Sequence, residues 1–154
     1  MAHALANILA KLGKEVALNL VYDAAVRGGN IRAEIVYSDE PIAVPFFEEA
    51  DIGLQLSKTL DPTVHARLVL IESSACDAEC KKCELRCPAS DRIPFEKLAV
   101  EQFSSPIFVN MIALGRLLSK IGINIETVNF AAEFPSQFLG ENVKAIRYGY
   151  TYKD

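Results

Sequence analysis

Every cysteine of the chain falls in one short run, Cys-x3-Cys-x2-Cys-x3-Cys-Pro, at Cys76, Cys80, Cys83 and Cys87 with Pro88 behind them. Thiols this close can ligate one Zn²⁺ or an iron–sulfur cluster, pair as disulfides, or stay free. Offsets of 0, 4, 7 and 11 put all four on one face of a helix, within an arc of about 60° at 100° per residue. A straight helix would spread them over about 16 Å of its axis. Thiolates on one zinc at about 2.3 Å lie under about 4 Å apart. A continuous helix therefore cannot deliver all four to one centre. A shared metal requires the segment to turn back on itself, most easily around residues 79–82 or 84–86. If it stays helical, Cys80 and Cys83 can pair, or the thiols are free or face a partner.

A second group able to do chemistry is Arg27-Gly28-Gly29-Asn30. Adjacent glycines permit backbone angles that other residues resist. Exposed glycine amides and a guanidinium can bind phosphate oxygens. The plainer reading is a tight turn whose Arg pairs with a nearby carboxylate. Asn110 stands among Phe108, Val109, Met111 and Ile112; if buried there, its amide needs partners. It reads first as a satisfied structural amide, and otherwise as a pin to a neighbouring loop or a contact to another chain. His3 and His65 have no Ser, Cys or acidic partner at motif spacing, so both are expected to face solvent or cap an element. Glu48 and Glu49 read as a solvated helix face rather than as acid–base machinery. Tyr148, Tyr150 and Tyr152 either offer a surface to another subunit or cover the end of the core.

These groups need elements to hold them. Leu5, Ile8, Leu9 and Leu12 recur at helical spacing with Gly13 as a stop. Residues 15–20 and 31–38 read as strands, with residues 23–30 as the loop between them. Pro45 is expected to open a short helix over 46–50, followed by a buried strand from Asp51. Residues 60–65 read as helical, with Asp61 as cap and Pro62 in the first turn. Residues 66–74 form the strongest strand signal. Residues 94–103 and 105–122 read as helices, the second with Ser105 as cap, Pro106 in its first turn and Gly122 at its end. The tail from Ile125 to Tyr152 reads as helical, broken near Pro135 and Gly140. Strands alternating with helices imply an α/β domain with a mostly parallel sheet flanked by helices, whose ligands sit at the carboxyl ends of the strands.

Length and composition agree. A chain of 154 residues with 51% hydrophobic and 23% charged residues suits one globular domain over 1–154. A net charge of −4 without a basic run argues against nucleic-acid binding. The longest apolar run, near residues 106–115, is interrupted by Asn110 and too short for a bilayer. The start lacks the basic residues of a signal peptide. A cytoplasmic address is expected, which favours metal or redox chemistry at the thiols over structural disulfides.

One stretch, "YDAAVRGGNIRAEIVYSDEPIAVP", resembles the signature of the gamma subunit (domain III) of 2-oxoacid:ferredoxin oxidoreductases, which serve pyruvate, 2-oxoglutarate, 2-oxoisovalerate and indolepyruvate. "ADIGLQLS", "LVLIESS", "PFEKLAVEQF", "NMIALGRLL" and "ENVKAIRYGY" follow in the family's order. The resemblance implies a Rossmann-like gamma-domain fold and a role as an accessory subunit, inactive alone. In such an assembly, alpha- and beta-type subunits hold thiamine diphosphate, the 2-oxoacid is decarboxylated, and electrons pass through iron–sulfur clusters to ferredoxin. The acyl group goes to coenzyme A. By the same resemblance Arg27, Gly28, Gly29 and Asn30, with Asn110, face the coenzyme A and active-site channel. The family opens with a strand and a Gly-x-Gly-Gly-Gln-Gly turn, whereas Met1 here stands where the first helix should be starting. A truncated start, a rearranged sheet or a partner filling the gap are the readings this allows.

The cysteines are not part of the family's usual pattern and read as an insertion over about 75–90. Their last three, with Pro88, match the end of a bacterial ferredoxin run whose first gap would be one residue shorter. Their first three match the pattern of radical S-adenosylmethionine enzymes, whose long barrel this chain has no room for. Within the metal option a four-iron four-sulfur cluster is favoured over zinc, because the resembled enzymes work with ferredoxin. The competing reading is a stand-alone iron–sulfur or zinc module for electron transfer or interaction, whose business is the thiol segment itself.

Overall fold

The computed structural model describes residues 1–22, 31–56, 65–75 and 89–153. It divides into two compact units, Met1–Phe46 with Asn124–Gly140, and Phe47–Ile123 with Glu141–Asp154.

In the first unit, α1 (Ala2–Lys11) buries Leu5, Ala6, Ile8 and Leu9, the three-and-four spacing that puts one stripe of a helix inside. It stops at a left-handed glycine. Gly13 has φ +84°, its N–H donates to the Ala10 carbonyl, and that of Lys14 donates to the Leu9 carbonyl, both closing orphan acceptors of the last turn. The chain then enters β1 (Glu15–Tyr22), which pairs antiparallel with β2 (Ile31–Ser38) from Glu15↔Ser38 to Tyr22↔Ile31. Helix α1 packs on this hairpin. Residues 124–140 add short 3₁₀ turns at Ile125–Thr127, Phe130–Ala132 and Ser136–Phe138. The first is capped by the Asn124 side chain, which accepts from the Glu126 N–H at 3.0 Å. Ile125 and Phe130 are buried.

The second unit holds a parallel sheet in the order β3-β4-β5, from β3 (Ala50–Gln55), β4 (Ala66–Glu72) and β5 (Ala89–Ile93). Parallel pairing covers both ladders, Ile52 opposite Leu68 and Leu70 opposite Asp91. The central strand is the apolar run that a strand covered on both faces requires; Leu70 is fully buried. Helices α2 (Phe95–Phe103), α3 (Val109–Lys120) and α4 (Leu139–Thr151) complete the set, the first two residues of α4 belonging to the other unit. Leu70, Ile93, Phe95, Ala99, Ile112 and Ala145 meet in one core cluster, each large member contributing about 1.5–3 kcal/mol by leaving water.

The parallel α/β layering expected from the sequence is present, and the Ser105 cap, Pro106 turn and Gly122 stop all hold. Ser105 Oγ accepts from Ile107 N–H at 3.4 Å ahead of a 3₁₀ turn at Pro106–Phe108, and Gly122 has φ +75°. Several expectations are corrected. Residues 46–49 form no helix and run as bends into β3, with Phe46 71% exposed. Five residues after Pro45 are too few to meet the cost of a helix nucleus without a face to bury. The strand at 51–55 is half-buried rather than buried, because it is the sheet's edge. The strand at 31–38 is antiparallel to its neighbour and outside the parallel sheet. Gly140 does not break the tail helix but sits in the first turn of α4. The last residues of the expected insertion, Ala89 and Ser90, belong to β5. The helix expected at 60–65 falls almost wholly outside the described residues. No described helix is long and apolar enough to cross a membrane.

Candidate functional site

The hairpin delivers its loop by register. Tyr22 and Ile31 face each other as its last pair, and residues 23–30, with Arg27, Gly28, Gly29 and Asn30, connect them and lie outside the described residues. Because side chains alternate along a strand, Val16, Leu18, Leu20 and Tyr22 share one face with Ile31, Ala33, Ile35 and Tyr37. That face is wholly apolar, and none of its residues is fully buried. It becomes most open where the loop leaves, with Tyr22 60% and Ile31 72% exposed. The opposite face is mixed, with Ala17, Val21 and Val36 beside a polar group: Asn19 Nδ2 donates to Glu34 at 3.0 Å, and Arg32 pairs with Glu34 at 3.0 Å.

The carboxyl end of β4 is held by a buried carboxylate. Glu72, 2% exposed, accepts through Oε1 from Ser73 Oγ at 3.2 Å and Ser74 N–H at 3.1 Å. Its Oε2 accepts from Glu96 N–H at 2.9 Å. Glu96 lies in the first turn of α2, whose preceding Pro94 offers no side-chain cap. Glu72 therefore supplies from a neighbouring strand what a local Ser or Asp would otherwise supply, and its negative charge meets the positive end of the helix. The chain makes a 3₁₀ turn at Ser73–Ala75 and runs into the thiol segment. Cys76, Cys80, Cys83 and Cys87 all lie in residues 76–88, outside the described residues. Among the described residues no group of His, Cys, Asp and Glu is placed to hold a metal ion.

A third cluster ties β5 to α3 and to Tyr152, the residue just past α4. Asp91 Oδ2 accepts from Lys120 Nζ at 2.6 Å and from Arg116 Nη2 at 3.3 Å. Arg116 Nη1 donates to the Tyr152 carbonyl at 2.6 Å, and its guanidinium lies 5.9 Å from the Tyr152 ring centre. The Lys120 hydrogen bond holds the Asp91 carboxyl below the usual carboxylate range, helped by the charges of Lys120 and Arg116 and opposed by partial burial.

Asn110 is exposed in the first turn of α3. Burial therefore imposes no partner on its amide, contrary to the structural reading of its apolar neighbours. His3 and His65 are exposed, as expected. Glu48 and Glu49 are solvated but not helical, and Glu49 pairs with Arg67 at 2.8 Å. Tyr148 and Tyr152 pack against the core, Tyr148 edge-on to Phe103 at 5.9 Å. Sequence reasoning missed Glu72, Asp91, Arg116 and Lys120. The signals were an acid ending an apolar strand and two cations spaced four apart on one helix.

A parallel sheet with a polar turn at the carboxyl end of its central strand defines an α/β protein of the kind that places ligands there. The chain belongs to the pyruvate ferredoxin/flavodoxin oxidoreductase family, whose sequence model matches residues 1–152. It is 30% identical over 154 residues to the 2-oxoglutarate synthase subunit KorC of Archaeoglobus fulgidus, covering 95% of this chain and 76% of that one. In fold it resembles the pyruvate oxidoreductase subunit PORC of Thermotoga maritima, with TM-score 0.70, 22% identity, and 97% and 85% of the two chains covered. It also resembles the gamma subunit of a keto/oxoacid ferredoxin oxidoreductase from Geobacter sulfurreducens, with TM-score 0.68, 18% identity, and 97% and 86% covered. The gamma-subunit kinship read from the Arg-Gly-Gly stretch is borne out.

Proposed function

We propose that the chain is the gamma-type accessory subunit of a thiamine-diphosphate-dependent 2-oxoacid:ferredoxin oxidoreductase, in which it helps form the coenzyme A and active-site channel. Other subunits hold the thiamine and choose the 2-oxoacid; ferredoxin takes the electrons. The observation that carries this reading is the family match across residues 1–152, which takes in the Arg27–Asn30 loop, Asn110 and the thiol segment together. Arg27 and the Gly28 and Gly29 amides supply donors suited to the phosphates of coenzyme A. The donor set of Cys76, Cys80, Cys83 and Cys87 suits a four-iron four-sulfur cluster, or zinc in its place, since both take four thiolates.

The test is co-expression with thiamine-binding alpha- and beta-type subunits. The chain is expected to co-purify with them and, alone, to bind no thiamine diphosphate; failure to associate overturns the subunit assignment. In the assembled enzyme Arg27→Ala is expected to raise KM for coenzyme A about 10-fold or more, the weight of a charge-assisted hydrogen bond, with KM for the 2-oxoacid unchanged. An unaltered coenzyme A KM removes the channel role while leaving the assembly standing. Metal analysis and a visible spectrum of anaerobic protein, repeated on Cys83→Ser, test the thiol site.

A further inference from the structure

Strands β1 and β2 pair only with each other, and among the described residues no further backbone hydrogen bond reaches residues 31–38. The outer edge of β2 therefore carries a row of backbone donors and acceptors with no partner in the chain described. Such an edge is a template for another strand, and proteins normally blunt it with proline, lysine, a bulge or a very short strand. β2 has none of these. Its sequence, Ile-Arg-Ala-Glu-Ile-Val-Tyr-Ser, holds no Pro or Lys, and all eight residues pair one for one with β1. Ile31, Ala33 and Tyr37 are exposed along it.

The charges of β2 say which strand fits. Arg32 and Glu34 stand two apart on one face, where they already pair at 3.0 Å. In an antiparallel pair of two β2 strands related by a two-fold axis at Ala33, Arg32 of each copy lies opposite Glu34 of the other, and Ile31 lies opposite Ile35. The four charges then form a ring, each with an opposite charge along its own strand and another across the axis. An axis at Arg32 or Glu34 would set like charges opposite each other. An axis at Ile35 would put Arg32 against Ser38 and Glu34 against Val36, with no ion pair across the strands. β1 cannot pair with itself in this way, because Glu15 is its sole charge. Pairing β1 of one copy with β2 of the next would propagate without closing, whereas the two-fold contact closes at two copies. We propose that two copies of the chain join edge to edge through β2, with the axis at Ala33, in a four-stranded antiparallel sheet. The contact uses the strand edge and does not depend on the subunit role proposed above. Five opposed residues on each strand make a small interface, so the dissociation constant is expected in the micromolar range.

Sedimentation equilibrium of the full chain, under a reductant that prevents thiol cross-links, tests this. The 16.9 kDa chain is expected to pass from monomer to dimer as its concentration rises through the micromolar range. Arg32→Glu and Glu34→Arg each set like charges opposite each other twice over, and each is expected to weaken the dimer about tenfold or more. Mixed in equal amounts, the two variants are expected to form a mixed dimer as tight as the parent's. The carboxylates of one then face the guanidinium groups of the other across the axis. A pair that mattered only within its own strand would give no such rescue. Should either variant fold poorly, Ala33→Asp, an exposed change that sets two carboxylates opposite each other on the axis, is expected to abolish the dimer. A monomer at every concentration, a dimer indifferent to these substitutions, or a mixture that stays monomeric overturns the proposal.

Discussion

Glu72 shows how one side chain can be structural without being visible as such. Its carboxylate is spent on three donors, two from the turn after β4 and one from the first turn of α2. Glu72→Ala removes the acceptor of two backbone N–H groups and of the Ser73 hydroxyl and is expected to cost about 1–2 kcal/mol, read from the urea midpoint at constant m. Glu72→Gln keeps one oxygen but turns an NH₂ toward a backbone donor, and should cost about half as much. A Glu72→Ala midpoint equal to the parent's would mean that α2 needs no cap from β4. Asp91 answers to pH instead. Its folded-state pKa lies below the ordinary value, so it binds a proton less readily folded than unfolded. It therefore adds stability that is complete above the unfolded value near about 4 and is lost as pH falls through the lowered folded value. Asp91→Asn should remove about 1 kcal/mol at neutral pH, and the two proteins should converge in acid. Parallel stability curves down to pH 2 would show that the lowered value plays no part in folding.

At the scale of elements, α3 and α4 approach so closely that two glycines are obligatory. A Cβ on Gly115 would lie 1.9 Å from the Ile146 carbonyl oxygen, and one on Gly149 would lie 1.9 Å from that of Ile112. The clash is with backbone, which cannot rotate away, so the helices would have to part along the buried line of Ile112, Ala113, Ala145 and Ile146. Gly115→Ala and Gly149→Ala are each expected to cost about 3 kcal/mol or more. Gly140→Ala is the control: a Cβ there meets nothing within 4 Å, and better helix propensity makes it neutral to stabilising. Equal effects at Gly115 and Gly140 would show that the two helices lie farther apart. Elements fixed by neighbours in sequence were legible beforehand. The Ser105 cap, the Pro106 turn and the Gly13 and Gly122 stops are local chemistry, and β4 announces itself by an unbroken apolar run. By contrast β5, Ala-Ser-Asp-Arg-Ile, has no strand pattern of its own; pairing with Leu68–Glu72 and the burial of Ile93 make it one. Asn110 misled because neighbours in sequence diverge by 100° around a helix, so apolar flanks do not imply burial. The thiols and the Arg-Gly-Gly loop could be read as chemistry. Glu72 and Asp91 could not, because their partners Glu96 and Arg116 are 24 and 25 residues away.

Across the whole molecule, the two units rest on different amounts of support. The second has a three-stranded parallel sheet whose central strand is almost wholly buried. The first has a two-stranded hairpin on which α1 packs, yet every apolar side chain on one hairpin face stays half-buried or exposed. A two-stranded sheet is marginal in water without a covered face, and local opening follows local burial. Hydrogen exchange of the isolated chain should therefore rank the elements. Amides of Val69, Leu70 and Ile71 are expected to exchange only with global unfolding, and the bonded amides of β1 and β2 at least about 100-fold faster. If the chain works as an accessory subunit, assembly should slow the hairpin amides and leave those of β4 unchanged, because only the former have an apolar face still to cover. Uniform protection in the isolated chain would mean that the hairpin needs nothing beyond its own unit. Protection that appears only on assembly would tie the open face at the Tyr22–Ile31 end of the hairpin to the surface where the subunits meet.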